Sequence, residues 1–197
     1  MDREFQFKNE FDMHIKRDGV RQLLGWLYDS DFFTAPASTK YHSACPGGLL
    51  KHSLCTFYRL RDLWIAENGM ENLTPEIMES LAICGLLHDI CKANFYTVDF
   101  RKVKNDDTGV WEKKPYYAIK DELPYGHGEK SVYIISQFMN LTEEEAMAIR
   151  WHMGAYGDDA KSPALQVATR KYPLALMLQM ADMMASNWDE EDGLMLE

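Results

Sequence analysis

No apolar run in this chain approaches the roughly 18 residues of a membrane-spanning helix, and none of its four cysteines forms a CxxC pair. The first absence excludes a helical membrane protein. The second, in a chain too long for the small secreted class, argues against a disulfide framework. Cys45, Cys55, Cys84 and Cys91 are therefore expected to be reduced and mostly buried. The stretch MDREFQFKNEFD is charged throughout and has no apolar core of the signal-peptide kind, so the expected location is the cytoplasm. Positive charge is scarce as well, with 21 Lys and Arg against 31 Asp and Glu and a net charge of −10. That balance makes long nucleic acid and acidic membrane poor partners, yet it leaves room for an anionic substrate at a site that holds cations of its own. Neither a repeat nor a low-complexity tract is found. What is present is apolar content of 46% and charged content of 26% over 197 residues, enough for one domain with a core.

The expected fold class is all-α, a helical bundle with one small β-hairpin excursion at about 95–125. The stretch FDMHIKRDGVRQLLGWLYDSDFF reads as one or two amphipathic helices, and TKYHSACPGG as a loop. A helix is expected from Leu49 to about Glu67, with Leu50, Leu54, Phe57, Tyr58 and Leu60 on its apolar face. Thr74 and Pro75 mark the N-cap and first position of the next. Around NDDTG, β-forming residues lie on both sides, which predicts the hairpin. Further helices are expected from Gly128 to about Met139, after Thr142 with Glu145 completing a capping box, and over PALQVATRKY and PLALMLQMADMMASN. The tail WDEEDGLMLE is acidic and expected to be loose.

Only six histidines occur: 14, 42, 52, 88, 127 and 152. In GLLHDICK the pair His88–Asp89 ends an apolar run. A histidine suits a helix C-terminus, but Asp89 there is unfavourable unless something positive, Lys92 or a metal ion, offsets it. Asp182 sits in LALMLQMADMMAS, a segment apolar around nearly its whole circumference and so expected to be buried. A lone buried carboxylate needs an ion-pair partner or a metal. His52, His127 and His152 each have an ordinary reading, a backbone partner or a helix dipole. His127 lies between two glycines, which imply a tight backbone path. Together, four His and two Asp at helix ends or in apolar helices suit a two-metal centre of Mn, Fe, Co, Ni or Zn. A helical scaffold held by salt bridges is the competing reading of the same residues.

The order His52, His88–Asp89, Asp182, with His127 and His152 between, resembles the HD-domain metal-dependent phosphohydrolase superfamily, in its two-metal branch that includes cyclic-nucleotide phosphodiesterases. YHSACPGGLLKHS with GLLHDICK is also similar to the HD domain of bacterial 3′–5′ exoribonucleases. The resemblance covers about residues 40–188 and implies a single HD-type helical domain over 1–197, with a helical extension at 1–35 and a loose acidic tail at 189–197. It implies that His52, His88, Asp89 and Asp182 hold one of two divalent ions, that Asp89 bridges, and that His127 and His152 complete the other. Lys92 matches a family lysine that would contact substrate phosphate. Cys91 stands where glycine is usual. The oligonucleotide-binding β-domain that accompanies the exoribonucleases is missing. The hairpin replaces a short connection and is expected to wall the pocket.

The activity implied is hydrolysis of a phosphate ester, mono- or diester, of a nucleotide or other small phosphorylated molecule by a metal-activated hydroxide. The alternative is a sensor that binds metal and nucleotide without turnover. His42 is a candidate proton donor or phosphate contact beside the catalytic Asp89 and Lys92. Lys120, Arg150 and Lys161 are candidate substrate cations, with Tyr125 and Trp151 flanking ligands in sequence. His14 is assigned no role.

Overall fold

The computed structural model describes residues 2–106, 108–157 and 159–189. Among these are eight α-helices: α1 Arg3–His14, α2 Val20–Asp29, α3 Gly48–Asn68, α4 Pro75–Leu87, α5 His127–Ser136, α6 Glu143–Trp151, α7 Pro163–Lys171 and α8 Pro173–Met184. One antiparallel hairpin interrupts them, β1 Tyr96–Lys104 and β2 Trp111–Ile119. The mostly helical reading with a single hairpin is thus what the chain forms.

Local chemistry explains most of the boundaries. Thr74 accepts from the Ile77 N–H and Pro75 opens α4. Thr142 and Glu145 exchange side-chain and backbone hydrogen bonds at the start of α6, the reciprocal arrangement expected of a capping box. Ser162 caps α7. The hairpin register pairs Tyr96 with Ile119 and Lys104 with Trp111.

The amino-terminal segment is helical, as expected of 1–35, and its first helix begins at Arg3, ahead of the amphipathic stretch that starts at Phe11, with Asp2 accepting from the Glu4 N–H. Its Phe7 and Phe11, one turn apart, are fully buried and join the same core as Leu23, Leu27, Phe32, Phe57 and Leu60. The segment preceding residue 35 therefore packs as part of the bundle. A correction applies to α8. It buries Leu174, Ala175, Leu178 and Ala181, but Leu176, Met180 and Met183 are 46%, 45% and 40% exposed. Apolar composition does not by itself bury a helix, because much of any protein surface is apolar. None of the four cysteines is in a disulfide; Cys84 and Cys91 are buried and Cys45 and Cys55 only partly so. Residues 190–197 of the tail lie outside the described residues. Asp189, at its start, ends a wide π turn, Ala185–Asp189, and pairs with Arg59.

In the bundle, α3 packs along α4 and α8, while α6 lies against α5 and α8. Two glycines set how close these helices come. A Cβ on Gly85 would lie 2.5 Å from Phe57 Cα, so only glycine lets α4 approach α3 at that crossing. A Cβ on Gly128 would lie 2.3 Å from the Arg150 carbonyl oxygen, so the start of α5 reaches the end of α6 for the same reason.

Candidate metal centre

Each close approach joins a pair of histidines. His52, in the second turn of α3, faces His88, the residue that ends α4, with the two Nε2 atoms 3.0 Å apart. His127, the first residue of α5, faces His152, which ends α6, with Nε2 atoms 3.2 Å apart. Asp89 follows His88 directly, and Asp182 comes in from α8. His52, His88, Asp89 and His152 are buried to within 2% of full burial. Asp182 and His127 keep side-chain exposures of 15% and 30%.

Asp89 sits between the two pairs and divides its carboxylate. Its Oδ1 lies 2.8 Å from His127 Nε2 and 3.4 Å from His152 Nε2. Its Oδ2 lies 3.3 Å from His52 Nε2, 3.5 Å from His88 Nε2 and 2.6 Å from Lys92 Nζ. Asp182 Oδ1 is 3.3 Å from His52 Nε2. Three overlapping groups of donor atoms result, His52–His88–Asp89, His88–His152–Asp182 and Asp89–His127–His152, the atoms of each within 4.8 Å of one another.

These separations fit a metal cation. Bonds of about 2.1 Å place neighbouring donors about 3.0 Å apart at right angles and about 3.4 Å apart in a tetrahedron. Proton placement fits as well. His88 Nδ1 is 3.0 Å from the Gly85 carbonyl and His152 Nδ1 is 2.7 Å from the Ile149 carbonyl. A carbonyl only accepts, so Nδ1 carries the proton in both rings and Nε2 turns a lone pair to the centre.

Electrostatics point the same way. Burial, the leading cause, holds the His88 imidazole down to about 3, so it is neutral. Burial would raise Asp89, but Lys92 and the surrounding imidazoles outweigh it and hold the carboxyl well below its ordinary range. Asp182 is lowered likewise, against burial, chiefly by His52. Burial would lower His127, but Cys91 and Asp89 outweigh it and push the imidazole up to about 10. Its Nε2, between Asp89 Oδ1 and His152 Nε2, is thus a point that draws positive charge. A proton and a metal ion compete for that lone pair.

A cleft of about 880 Å³ opens over this cluster, lined by His152, Asp182, Lys92, Lys40, Tyr41, His42, Met153, Tyr156, Met183, Ser186 and Asn187. His42 lies in the loop before α3, with its ring centroid 4.9 Å from that of His52. Lys92 Nζ bonds Asp89 and also faces the cleft. The other predicted cations do not line it. Arg150 pairs with Glu129 and Asp159 and stacks 4.0 Å from the Trp151 ring. Lys120 is exposed and paired with Glu122 at 2.7 Å. Lys161 is exposed in the turn before α7 and Tyr125 is 55% exposed on an apolar groove elsewhere. Nor does the hairpin wall the cleft, whose lining includes no residue of 95–125; Tyr96 at its base reaches the Ala37 carbonyl, and Val98, Phe100 and Trp111 are exposed. His14 pairs with Glu10, away from the site. Lys40, Tyr41 and Tyr156 were not singled out by sequence. Closeness to His42 was the one available signal for the first two, and nothing marked Tyr156.

Residues 49–185, well over half the chain, match the family model of the HD domain. No curated protein and no solved structure is significantly similar to the chain. The match is to the family at large, and the likeness to the exoribonuclease branch rests on the quoted motifs alone.

Proposed function

The chain belongs to the HD-domain family, and from that premise we propose that it is a metal-dependent phosphohydrolase acting on a small phosphate ester, most simply of a nucleotide. One observation carries the reading: the Asp89 carboxylate offers one oxygen to His52 and His88 and the other to His127 and His152. A single group so divided is suited to join two cations. The residues that would hold them are His52, His88, Asp89, His127, His152 and Asp182. When bound, such ions lower the pKa of water to near neutrality and offset charge on phosphoryl oxygens.

The chain's own groups bind and orient the ester. Lys92 is held cationic by Asp89, against the effect of burial, and presents its charge to the cleft. Lys40 adds a second cation at the mouth. His42, its ring centroid 4.9 Å from that of His52, would give a leaving alkoxide a proton or a phosphate oxygen a hydrogen bond. Among the described residues no helix is long and apolar enough to cross a membrane.

The test is to load purified protein with Mn²⁺ and assay a panel of phosphomonoesters, phosphodiesters and nucleotides, alongside Asp89→Ala. Turnover of a panel member, together with loss of both activity and most bound metal in the variant, is expected. Tight nucleotide binding without product on any substrate would make the protein a sensor instead. Full retention of two metal equivalents by Asp89→Ala would refute the bridging role.

A further inference from the structure

The hairpin register assigns each strand residue to one of two faces, because directly opposed residues of an antiparallel pair project to the same side. The face with Asp99, Arg101, Glu112 and Tyr116 satisfies itself. Asp99 accepts from the Tyr116 hydroxyl at 3.2 Å, Arg101 lies 5.6 Å from the Tyr116 ring centroid, and Glu112 accepts from Asn105 Nδ2 at 2.8 Å. The other face does not. Lys102 stands directly opposite Lys113, an unfavourable pairing of like charges, and Lys104 stands opposite Trp111. Val98, Phe100, Trp111 and Ile119 on this face are 51%, 61%, 65% and 61% exposed. It holds three lysines and no carboxylate, and among the described residues none of the three is ion-paired. A two-stranded hairpin is marginal in water unless its apolar face is covered, and a group of exposed large apolar side chains marks a surface that meets a partner.

Charge and area narrow the partner. The lysines suit an acidic surface. The chain as a whole stands at −10 while this face is positive, so a second copy offers one. The face measures about 30 Å by 10 Å, or about 300 Å². Laid on an unrelated protein it would bury about 600 Å² in total, the size of a crystal contact. Two copies that exchange hairpins about a two-fold axis would bury about 1,200 Å², where stable interfaces begin. Stacking the two faces on each other would set lysine against lysine. A better seat is the open apolar groove of about 830 Å³ along α5, α6 and α7, where Tyr125, Tyr133 and Val167 are 55%, 47% and 62% exposed. Its cations are taken, Arg150 by Glu129 and Asp159 and Lys171 by Glu143, which leaves acid in excess around it. The groove begins at Tyr125, six residues after Ile119 ends the hairpin, so the arm leaves the body within about 20 Å of it.

We propose that the hairpin is a dimerisation arm: in two copies related by a two-fold axis, the lysine-bearing face of each hairpin seats on the α5–α6–α7 groove of the other. The pairing is independent of the activity proposed above.

Sedimentation equilibrium of the full chain, from low to high micromolar concentration, tests this on the wild type and on two neighbouring lysines that face opposite ways. The wild type is expected to be a dimer. Lys113→Glu is expected to weaken association about 10-fold or more, because it sets acid against an acidic surface. Lys114→Glu makes the same change on the far face and is expected to leave association unchanged. Trp111→Ser on the arm and Val167→Glu in the groove are each expected to give monomers. Circular dichroism and thermal melts report folding; should Trp111→Ser unfold the hairpin, the comparison of Lys113→Glu with Lys114→Glu decides alone. A wild type that stays monomeric at high micromolar concentration would overturn the inference. So would a dimer that the two lysine variants weaken equally or not at all, or one that Val167→Glu leaves intact. A monomer that instead sediments with phosphatidylserine vesicles, or binds a single-stranded oligonucleotide, through Lys113 would also overturn it and give the face to that ligand.

Discussion

Replacing Gly85 with alanine tests how the candidate metal centre is assembled. An added Cβ would lie 2.5 Å from Phe57 Cα, 2.9 Å from its Cβ and 3.0 Å from its N. Ordinary carbon contacts are about 3.5–4.0 Å, and all three atoms are fixed to the α3 backbone, so no flexible side-chain end can move aside. The helices must part by on the order of 1 Å. Two effects of opposite sign compete. Alanine gains about 1 kcal/mol over glycine inside a helix, whereas overpacking costs about 1–3 kcal/mol. With backbone as the obstacle the upper end applies, and a net loss of about 2 kcal/mol is expected by urea denaturation. The same displacement widens the 3.0 Å gap between His52 and His88 to about 4 Å, nearly the full span of two 2.1 Å bonds in line. Metal affinity should therefore fall together with stability. Gly25→Ala is the control. Gly25 lies within α2 with nothing within 4 Å of an added Cβ, so this variant should gain about 0.5–1 kcal/mol. A Gly85→Ala protein with wild-type urea midpoint and wild-type metal content would refute the reasoning.

A chelator should lower the melting temperature of metal-replete protein. With free metal at about 100 times Kd, the ion contributes about 2.7 kcal/mol, and its removal should cost about 5–10 °C for a chain of this size; an unchanged melt by calorimetry would count against any bound cation. Arg17→Met should destabilise by about 3 kcal/mol at neutral pH, because it leaves Glu145 buried without its cation. Glu145 also governs an acid limb. Burial would raise its carboxyl, but hydrogen bonds from Arg17, Ser80 and the Thr142 N–H hold it below its ordinary value. Its contribution is present above the unfolded carboxylate pKa of about 4.3 and is lost as pH falls through the lower folded value. Stability measured down that range should decline in the wild type, and the gap to Arg17→Met should narrow; a gap that stays constant with pH would exclude this coupling.

What sequence alone revealed depended on how local the cause was. The caps at Thr74 and Thr142, with Pro75 and Glu145 beside them, are settled by residues three or four positions apart, and they formed as read. The hairpin around residues 105–109 was equally local. That α1 joins the core was hidden, because Phe7 and Phe11 are isolated apolar residues in a charged stretch and the nearby Phe5 is 63% exposed. The six candidate ligands could be named because their residue types and order match a family pattern, while their spacing along the chain says nothing about which pairs meet. That pairing is set by Gly85 and Gly128, whose effect depends on what lies opposite. Lys40 and Tyr156 reach the cleft through loop paths that periodicity does not describe. For the same reason Arg150, two positions before His152, faces Glu129 and Asp159 instead of the cleft.

Glu145 receives Arg17 from the α1–α2 connection, Ser80 from α4 and the backbone of Thr142. The helices it clamps, α4 and α6, are the two whose far ends carry His88 and His152. A shortened protein trimmed to residues 49–185 would keep every donor atom and yet shed the strut that braces them from behind. The segment upstream of the recognised domain is, on this view, part of what holds the candidate metal centre rigid.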